Sequence, residues 1–357
     1  MSRFHRLTVA KIERETRDAV TVTFDVPPSL AEAFRFAPGQ HFTVRAQVGG
    51  QDLRRSYSIC SAAHDGVLRI AIKRSPGGVF SEWANDTLQA GHLLDVTAPM
   101  GHFNVPLSGH NRKHYVAFAA GSGITPILSL VATTLAAEPS SRFTLFYGNR
   151  ASGTVMFKEE LAALKDLYMT RFNLLHVLSR EAQDIELLHG RIDRVKADAL
   201  LEHWVDLSTV DTIFVCGPDG MMVAVAEALR GRGFPDAKIK IERFATSIPK
   251  HEHKPSPVVP GHAECLVTIV LDGATSTFTL DKGKESILDA GLKSGIELPY
   301  SCKGGVCSTC RAKLVAGEVD MDVNFALEDY EVERGFVLTC QSYPVTDAVT
   351  VDYDQTS

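Results

Sequence analysis

Four cysteines near the carboxyl end constrain the fold of this chain more than any other feature. Cys302, Cys307 and Cys310 follow the spacing C-x4-C-x2-C, and Cys340 lies downstream. This spacing is typical of a loop that binds a [2Fe–2S] cluster through four thiolates. Two glycines between the first two cysteines let backbone N–H groups approach the sulfur atoms closely. The carboxyl-terminal part is therefore predicted to fold around an iron–sulfur centre.

A structural zinc site is the alternative interpretation of the same cysteines. Zinc sites favour paired C-x2-C knuckles, whereas the first spacing here is four residues. The sequence has no Cys-x-His pair, which excludes a Rieske centre. The cluster is the favoured interpretation, and a zinc-stabilised binding module without redox activity is the alternative from another functional class.

Length and composition indicate a folded protein of several domains. The chain has 357 residues, a length that exceeds one ordinary hydrophobic core. Hydrophobic residues make up 45% and charged residues 22%, the balance of a folded protein. No apolar run approaches the roughly 20 residues that cross a bilayer. The first residues alternate apolar and charged types, unlike a signal peptide. We therefore expect a cytoplasmic protein with no membrane partner and no disulfide framework.

Charge is spread unevenly along the chain. The net charge is −6, which argues against a nucleic-acid partner. Residues 261–357 hold 7 Lys+Arg and 16 Asp+Glu, whereas the preceding residues hold 30 and 27. An acidic surface either improves solubility or attracts a basic partner, and charge alone does not decide between them.

Residues 1–108 have the pattern of a small antiparallel β-barrel. Alternating or β-branched runs recur between turn residues such as Pro38-Gly39 and Gly49-Gly50. We predict one helix near Ser81–Leu88 and strands at Leu7–Ile12, Val20–Val26, His41–Ala46, Val67–Ile72 and Leu93–Ala98.

Residues 109–245 change to alternating strands and helices. This order predicts an α/β domain with a parallel sheet covered on both faces. The predicted strands are Tyr115–Ala120, Phe143–Tyr147, Leu174–Leu178, Thr212–Cys216 and Ile239–Phe244. The predicted helices include Ile127–Ala137, Phe157–Tyr168 and Met221–Arg230.

Residues 246–261 contain four prolines and no apolar periodicity, which predicts an interdomain linker. We interpret its His251 and His253 as solvated residues, because no third metal ligand is close in sequence. The third domain, 262–357, begins with predicted strands Leu266–Leu271 and Ser276–Leu280. A short helix is predicted to follow, with Ser286 as its N-cap, Asp289 completing a capping box and Gly295 at its end.

Two strings in the first domain suggest a ligand that carries a pyrophosphate. They are Arg55-Ser-Tyr57-Ser58 and Gly77-Gly-Val-Phe-Ser81. Alone, Arg55 is explained as a surface charge and Tyr57 as a core aromatic. Together, an arginine and a Gly-rich helix entry capped by Ser81 could hold a pyrophosphate, and Tyr57 could stack on a flat ring.

Two glycine-rich turns follow strands of the second domain. Gly121-Ser-Gly123-Ile-Thr125-Pro126 predicts a helix with Thr125 as N-cap and Pro126 at the first helical position. Such a turn can cradle phosphate, although tight packing explains it equally well. Cys216-Gly217-Pro218 ends a later strand. Two such turns at the carboxyl ends of parallel strands favour a ligand there.

These strings, in this order, resemble the ferredoxin–NADP reductase superfamily. They are R-x-Y-S, G-G-x-x-S, G-S-G-I-T-P, Y-G-N-R and C-G-P, and the cysteine pattern after them resembles plant-type ferredoxin. The combination with the ferredoxin last is similar to the reductase components of multicomponent bacterial oxygenases. The resemblance implies a flavin β-barrel, an α/β nucleotide domain and an α+β, β-grasp ferredoxin domain.

The resemblance also implies residue roles. Arg55 would bind a flavin phosphate, and Tyr57 and Ser58 would lie against the isoalloxazine. The turn that would hold the FAD pyrophosphate is formed by Gly78, Val79, Phe80 and Ser81. The nicotinamide dinucleotide would be held by Gly121, Gly123, Thr125, Cys216 and Gly217. Glu242 and Phe244 would border the flavin, so that Tyr57, Ser58, Cys216, Glu242 and Phe244 form the expected catalytic set.

The implied activity is electron transfer from a nicotinamide through FAD and the cluster to an oxygenase component, expected to be a di-iron protein. A reductase of another aromatic-ring oxygenase is the alternative enzyme. NADPH is predicted in preference to NADH, because Tyr147-Gly-Asn-Arg150 offers no acidic residue to a ribose hydroxyl. Ser179-Arg180-Glu181 resembles the segment by which plant-type reductases hold the 2′-phosphate. The alternative is that Arg180 is a solvated loop charge.

Overall fold

The computed structural model describes residues 4–244 and 264–355. The predicted linker at 246–261, with His251 and His253, lies outside the described residues. The described chain packs into two units, of which the larger spans His5–Leu53 and Tyr57–Arg243 and the other includes residues 264–355. No helix in the described part of the chain is long and apolar enough to cross a membrane.

The amino-terminal part of the chain forms a six-stranded sheet that closes on itself. Its strands are β1 (His5–Thr16), β2 (Ala19–Asp25), β3 (His41–Val48), β4 (Gln51–Ser58), β5 (Leu68–Lys73) and β6 (Leu93–Val96), in the order β4-β3-β6-β1-β2-β5. Just beyond β4, Ile59 pairs antiparallel with Ile70, and Cys60 N–H donates to Arg69 O at 2.9 Å. These bonds join the two edge strands, so the predicted antiparallel barrel is confirmed.

The barrel core follows the alternation seen in the sequence. Side chains two residues apart in β2, Val20, Val22 and Phe24, are buried, as are Phe42 and Val44 in β3. Helix α1 (Val79–Asp86) lies between β5 and β6 in the chain. Phe80 and Ala84 of α1 join this core, which fixes the helix against the barrel wall.

The second sheet is fully parallel, as predicted. It contains β7 (His114–Ala120), β8 (Arg142–Asn149), β9 (Phe172–Leu178), β10 (Thr212–Cys216) and β11 (Ile239–Glu242), in the order β11-β10-β7-β8-β9. The chain builds outward from β7 through β8 to β9 and then returns to β10 on the other side of β7. The carboxyl ends of β7 and β10 therefore form a topological switch point, where ligands bind in sheets of this kind.

The helices of this sheet are α2 (Ile124–Ala137), α3 (Lys158–Leu167), α4 (Arg194–Trp204) and α5 (Asp219–Gly231). Helix α4 was not predicted from the sequence, and its N-cap Asp193 accepts a hydrogen bond from Lys196 N–H at 2.8 Å. The prediction that Thr125 is the N-cap and Pro126 the first helical residue is wrong. Helix α2 begins at Ile124 after a 3₁₀ turn at Gly121–Gly123, and the Thr125 hydroxyl donates to Ser122 O at 3.0 Å.

Residues 264–355 form a mixed sheet crossed by a helix. The strands are β12 (Glu264–Leu271), β13 (Ala274–Asp281), β14 (Arg311–Ala316), β15 (Val319–Met321), β16 (Phe336–Leu338), β17 (Ser342–Pro344) and β18 (Ala348–Asp352). The main sheet has the order β13-β12-β18-β14-β16, with β12 and β18 parallel, and β15 pairs with β17. The helices are α6 (Ile287–Lys293) and α7 (Asp329–Glu333). This arrangement confirms the predicted β-grasp.

Helix α6 begins and ends as its sequence predicts, but the Asp289 carboxylate accepts from the Ser286 hydroxyl at 3.2 Å instead of from the Ser286 N–H that a capping box would use. Ser286 Oγ accepts a hydrogen bond from Asp289 N–H at 3.2 Å, so Ser286 is the N-cap. Gly295 adopts a φ of +80° just past the last turn, a conformation that glycine adopts without strain. Ile287 and Leu288 point into the core of this unit, so α6 supports the cysteine loop that follows it.

Candidate functional site

The four predicted cluster cysteines come together on the loop before β14 and at the end of β16. Cys307, Cys310 and Cys340 are buried, and Cys302 is partly exposed. Neighbouring thiols shift one another's pKa, Cys302 that of Cys307, Cys307 and Cys340 that of Cys302, and Cys302 and Cys310 that of Cys340, so the four lie close together. All four are free thiols rather than disulfides. The loop therefore brings four soft ligands into one small volume.

Backbone N–H groups surround these sulfur atoms. Cys302 N lies 3.5 Å from Cys307 Sγ, and Gly304 N lies 3.3 Å from Cys302 Sγ. A Cβ at Gly305, where φ is +73°, would meet Val323 O at 2.8 Å. The loop thus needs glycine to fold this tightly, and its N–H dipoles can stabilise negative charge on sulfur.

The arrangement of the thiols suits a cluster of two irons. Each iron of a [2Fe–2S] cluster takes two thiolates, and a succession of four thiols offers two such pairs. A single zinc ion needs three or four ligands around one point. In residues 4–244 and 264–355, no group of three or more His, Cys, Asp and Glu side chains is placed to hold a single ion. The neighbouring Cys302 thiol and burial raise the pKa of Cys307, so cluster binding must displace protons.

The predicted flavin residues lie on β4 and at the start of α1. The rings of Tyr57 and Phe80 are 5.8 Å apart between centroids and tilted by 37°. The Ser58 hydroxyl is buried and has no hydrogen-bond partner within the described part of the chain. Arg55 is exposed on β4, and its guanidinium donates to Arg54 O at 2.7 Å. An aromatic face beside an unsatisfied buried hydroxyl fits a flat polar ring system such as a flavin.

The turn into α1 differs in detail from the prediction. Gly78 is the N-cap of α1, so the prediction that Ser81 caps this helix is wrong. Ser81 lies in the first turn, where its hydroxyl donates to Gly78 O at 2.9 Å and accepts from Ser75 N–H at 3.0 Å. A Cβ at Gly78 would lie 2.6 Å from Ser81 Oγ. The serine thus locks the glycine turn, and Val79 at its tip is 49% exposed.

The two glycine turns of the parallel sheet pack directly against each other. A Cβ at Gly123 would lie 2.1 Å from Cys216 O, and one at Gly217 would lie 3.1 Å from Ala120 N. Gly121 has a φ of +54°, and its carbonyl accepts from the Tyr147 hydroxyl at 3.0 Å. Both turns lie at the switch point, where Gly123 and Gly217 are buried in the contact between the turns and Gly121 is partly exposed.

Lys73 is a basic residue of this site that was not predicted from the sequence. It ends β5 in the barrel, and its Nζ would lie 3.5 Å from a Cβ at Gly121. Burial and the charge of Arg150 lower the pKa of Lys73. A strand-ending lysine carries no special sequence signal, because its partner turn lies far away in the chain. The structure thereby adds a cation beside the glycine turn.

Ser179 and Arg180 lie at the carboxyl end of β9, next to the end of β8. Ser179 N–H donates to Asn149 O at 2.9 Å, and Arg180 N–H donates to Arg150 O at 2.8 Å. Glu181 accepts from both the N–H and the hydroxyl of Ser152, which holds its carboxylate in that contact. Arg150 and Arg180 are both exposed on adjacent strand ends. The edge therefore presents two guanidinium groups.

Cys216 and Glu242 end the neighbouring strands β10 and β11 and are register partners. Cys216 is fully buried, and burial together with the Glu242 carboxylate raises the pKa of its thiol. The thiol is therefore neutral. The carboxylate faces His41 of the barrel, with Nδ1 3.7 Å from Glu242 Oε1. Phe244 follows β11 and is partly buried. His41 was not predicted, because a lone histidine that begins a strand is common.

Comparisons with known proteins divide the chain as its architecture does. Residues 6–105 match the family model of the oxidoreductase FAD-binding domain, 118–227 that of the oxidoreductase NAD-binding domain, and 269–345 that of the 2Fe-2S iron-sulfur cluster binding domain. The first match spans nearly all of the six strands of the barrel, the second spans β8 to β10 and the end of β7, and the third includes the four cysteines.

Two curated relatives span nearly the whole chain. A subunit of the 1,2-phenylacetyl-CoA epoxidase of Escherichia coli (strain K12) is 47% identical over 354 residues, 99% of each chain. The ferredoxin reductase component of 3-ketosteroid-9-alpha-monooxygenase from Rhodococcus rhodochrous is 32% identical over 97% of this chain and 96% of its own. Phthalate dioxygenase reductase, a solved structure, shares the fold with a TM-score of 0.57, 23% identity and 98% coverage of both chains.

Proposed function

The chain belongs to the FAD- and NAD-binding reductases that carry a carboxyl-terminal [2Fe–2S] domain and serve multicomponent oxygenases, and we propose that it delivers electrons from NADPH to a phenylacetyl-CoA epoxidase. The observation that carries the proposal is the 47% identity, over 99% of both chains, to a subunit of such an epoxidase. The residues of each candidate site suit one step of this electron transfer.

Bound FAD would accept a hydride and release its electrons singly, and the cluster would carry them one at a time. Arg55 and the α1 turn of Gly78, Val79, Phe80 and Ser81 would bind the phosphates of FAD, because free N–H groups at a helix start attract anions. Tyr57 would cover one face of the ring system. The Ser58 hydroxyl, which has no partner among residues 4–244 and 264–355, would satisfy a polar ring atom.

The glycine turns would hold the nicotinamide dinucleotide. Gly121, Gly123, Thr125 and Gly217 belong to the turns at the switch point, where Gly121 is partly exposed and the close packing at Gly123 and Gly217 fixes the two turns. Lys73 would neutralise part of the pyrophosphate charge. Cys216 would lie beside the nicotinamide as a neutral thiol, so it would shape the pocket rather than attack a bound group. Glu242 and Phe244 would border the ring system on the other side.

The basic edge beyond β8 and β9 supports NADPH as the donor. Arg150 and Arg180 have adjacent backbones, and Ser179 adds a hydroxyl. Two guanidinium groups suit a phosphate dianion, which NADPH carries on its ribose and NADH lacks. The nearby carboxylate of Glu181 accepts hydrogen bonds from the N–H and the hydroxyl of Ser152. That contact holds it on Ser152 instead of on a ribose hydroxyl. This arrangement favours the phosphorylated nucleotide.

The proposed acceptor is the di-iron oxygenase component of the epoxidase. Support for this step comes from the epoxidase relative, which is 47% identical over 99% of both chains. A second candidate is a reductase for another ring oxygenase. The 32% identity to the 3-ketosteroid monooxygenase component over 97% of this chain favours that candidate.

Reconstitution separates the two candidates. The purified protein is mixed with NADPH and with the oxygenase components of either system, each with its own substrate, and product formation is measured. We expect turnover with the phenylacetyl-CoA components and little with the 3-ketosteroid components. The reverse preference would make the second candidate correct. Reduction of neither oxygenase, with a normal flavin and cluster spectrum, would point to a different acceptor.

A further inference from the structure

Thr339 connects two of the cluster cysteines. It precedes Cys340 in the chain, and its amide and its hydroxyl both donate to the carbonyl oxygen of Cys310, at 3.2 and 3.0 Å. Its own carbonyl accepts from Leu288 N–H of α6 at 3.1 Å. Thr339 is completely buried. The residue therefore fixes the positions of the third and fourth cysteine relative to each other and to the helix.

The hydroxyl of Tyr353 lies 2.7 Å from Thr339 Oγ1. Tyr353 follows β18, is 5% exposed, and is held by its N–H, which donates to Val270 O at 2.9 Å. A threonine hydroxyl has one hydrogen, which here points to Cys310 O. Tyr353 must therefore donate to Thr339. The two hydroxyls form a directed chain from Tyr353 through Thr339 to the Cys310 carbonyl.

This chain has an electrostatic consequence for the loop. Each O–H dipole has its positive end directed towards the Cys310 carbonyl, and dipoles in series strengthen one another. The chain is buried, so water screens it weakly. A reduced [2Fe–2S] cluster carries one more negative charge than an oxidised one. Positive dipole ends beside a ligand residue favour the reduced form, since hydrogen bonds around the sulfur ligands set the potential of such clusters.

We propose that Tyr353 and Thr339 are positioning residues that raise the reduction potential of the cluster held by the four cysteines. The proposal rests on the cluster assignment and is independent of which nucleotide or oxygenase the protein uses. Tyr353 acts through Thr339, and Thr339 acts through the peptide of Cys310. A purely structural role would fill the same space without changing the potential.

The test is a redox titration of the purified holoprotein, in which EPR follows the reduced cluster. The variants are Tyr353→Phe, Thr339→Val and Thr339→Ser. The first two remove a hydroxyl and keep the shape of the side chain. At the midpoint potential of the wild type, both should lower the ratio of reduced to oxidised cluster by about three- to tenfold, which corresponds to the loss of one hydrogen bond. Thr339→Ser keeps the hydroxyl and should stay near the wild-type value. Iron content is measured in each variant.

The control variant is Tyr330→Phe, which removes an exposed tyrosine hydroxyl from α7 in the same unit. The double variant Tyr353→Phe/Thr339→Val should match Thr339→Val alone, because Tyr353 acts only through Thr339. Shifts in reduction potential that add in the double variant would contradict the hydrogen-bond chain from Tyr353 through Thr339. An unchanged reduction potential in Tyr353→Phe, at full iron content, would overturn the proposal. This variant decides the outcome by itself if Thr339→Val binds no cluster. Absence of any cluster signal in the wild type would overturn the cluster assignment as well.

Discussion

His41 and Glu242 form a buried pair that joins the barrel to the parallel sheet. The Nδ1 atom of His41, at the start of β3, lies 3.7 Å from Oε1 of Glu242, at the end of β11. The side chains are 7% and 15% exposed. A Cβ at Gly101 would lie 2.9 Å from His41 Nδ1, so the loop after β6 also confines the ring. The pair places a carboxylate beside Cys216, where the flavin and nicotinamide are proposed to meet.

Glu242→Gln should slow reduction of the flavin by NADPH. The substitution keeps the size of the side chain and removes the negative charge that lies beside His41 and Cys216. We expect a loss of about tenfold or more in the reduction rate, as for a hydrogen bond to a charged group, with His41→Asn giving a smaller loss. Anaerobic stopped-flow absorbance measures the rate. The control is His64→Asn, because His64 pairs with Asp65 in an exposed contact of 3.5 Å. A wild-type rate in Glu242→Gln would remove this carboxylate from the site.

Arg180→Ala should raise the KM for NADPH about tenfold to hundredfold and leave that for NADH nearly unchanged. The reason is the loss of one charge-assisted contact to the 2′-phosphate, worth about 1.5–3 kcal/mol. Steady-state kinetics with both nucleotides provide the measurement. Arg230→Ala is the matched control, since Arg230 lies in the last turn of α5 and pairs with Asp236. An equal loss with both nucleotides, or a wild-type preference for NADH, would contradict the role of Arg180.

Cys340→Ser should lose or destabilise the cluster while the flavin stays bound. One iron would exchange a thiolate for a much weaker ligand, whereas the proposed flavin residues belong to the barrel. We expect lower iron content, retained NADPH-to-ferricyanide activity and no electron transfer to the oxygenase. Cys265→Ser is the control, because Cys265 is a buried thiol of the same unit on β12. Iron content that does not change in Cys340→Ser would remove this residue from the ligand set.

Stability should fall as the pH is lowered from about 6.5 towards 4, because of His114. Burial, with the charge of Arg142, lowers the pKa of His114 to about 4 from its ordinary 6.5. Between these two pH values the unfolded chain binds a proton on His114 that the folded protein excludes. The contribution of His114 to the free energy of unfolding is therefore fully retained above pH 6.5 and is lost as the pH falls. We expect the free energy of unfolding to fall by about 1–2 kcal/mol between pH 7.5 and 4.5 because of this residue. Urea unfolding at several pH values measures this free energy. His114→Gln should flatten its dependence on pH, whereas the control His110→Gln, at an exposed histidine, should not.

Local features of the sequence predicted most of the fold, because strands and cysteine loops are encoded by short patterns. The C-x4-C-x2-C spacing identified the cluster loop, and the capping residues of α6 were correct at Ser286 and Gly295. The errors at Ser81 and Thr125 have one cause. Both hydroxyls donate to the carbonyl three residues earlier, at Gly78 and Ser122, whereas an N-cap accepts from an N–H two or three residues later, and residue type alone does not distinguish the two.

Other parts of the candidate site depend on contacts between distant segments. Lys73 meets the Gly121 turn, and His41 meets Glu242, only because two separately folded sheets pack together. Neither residue belongs to a recognisable motif. The roles of Arg55, Ser58 and the other predicted flavin and nucleotide residues stay predictions, of which the variants above test those of Glu242 and Arg180.

The central claim is that one chain carries electrons from NADPH through a flavin to a [2Fe–2S] cluster. Anaerobic titration of the purified protein with NADPH, followed by visible absorbance and EPR, tests it most directly. We expect flavin and cluster absorption in the oxidised protein, bleaching of both as NADPH is added, and the EPR signal of a reduced [2Fe–2S] cluster at the end. A colourless protein that contains zinc, or a flavin that is reduced while the cluster stays oxidised, would contradict the account.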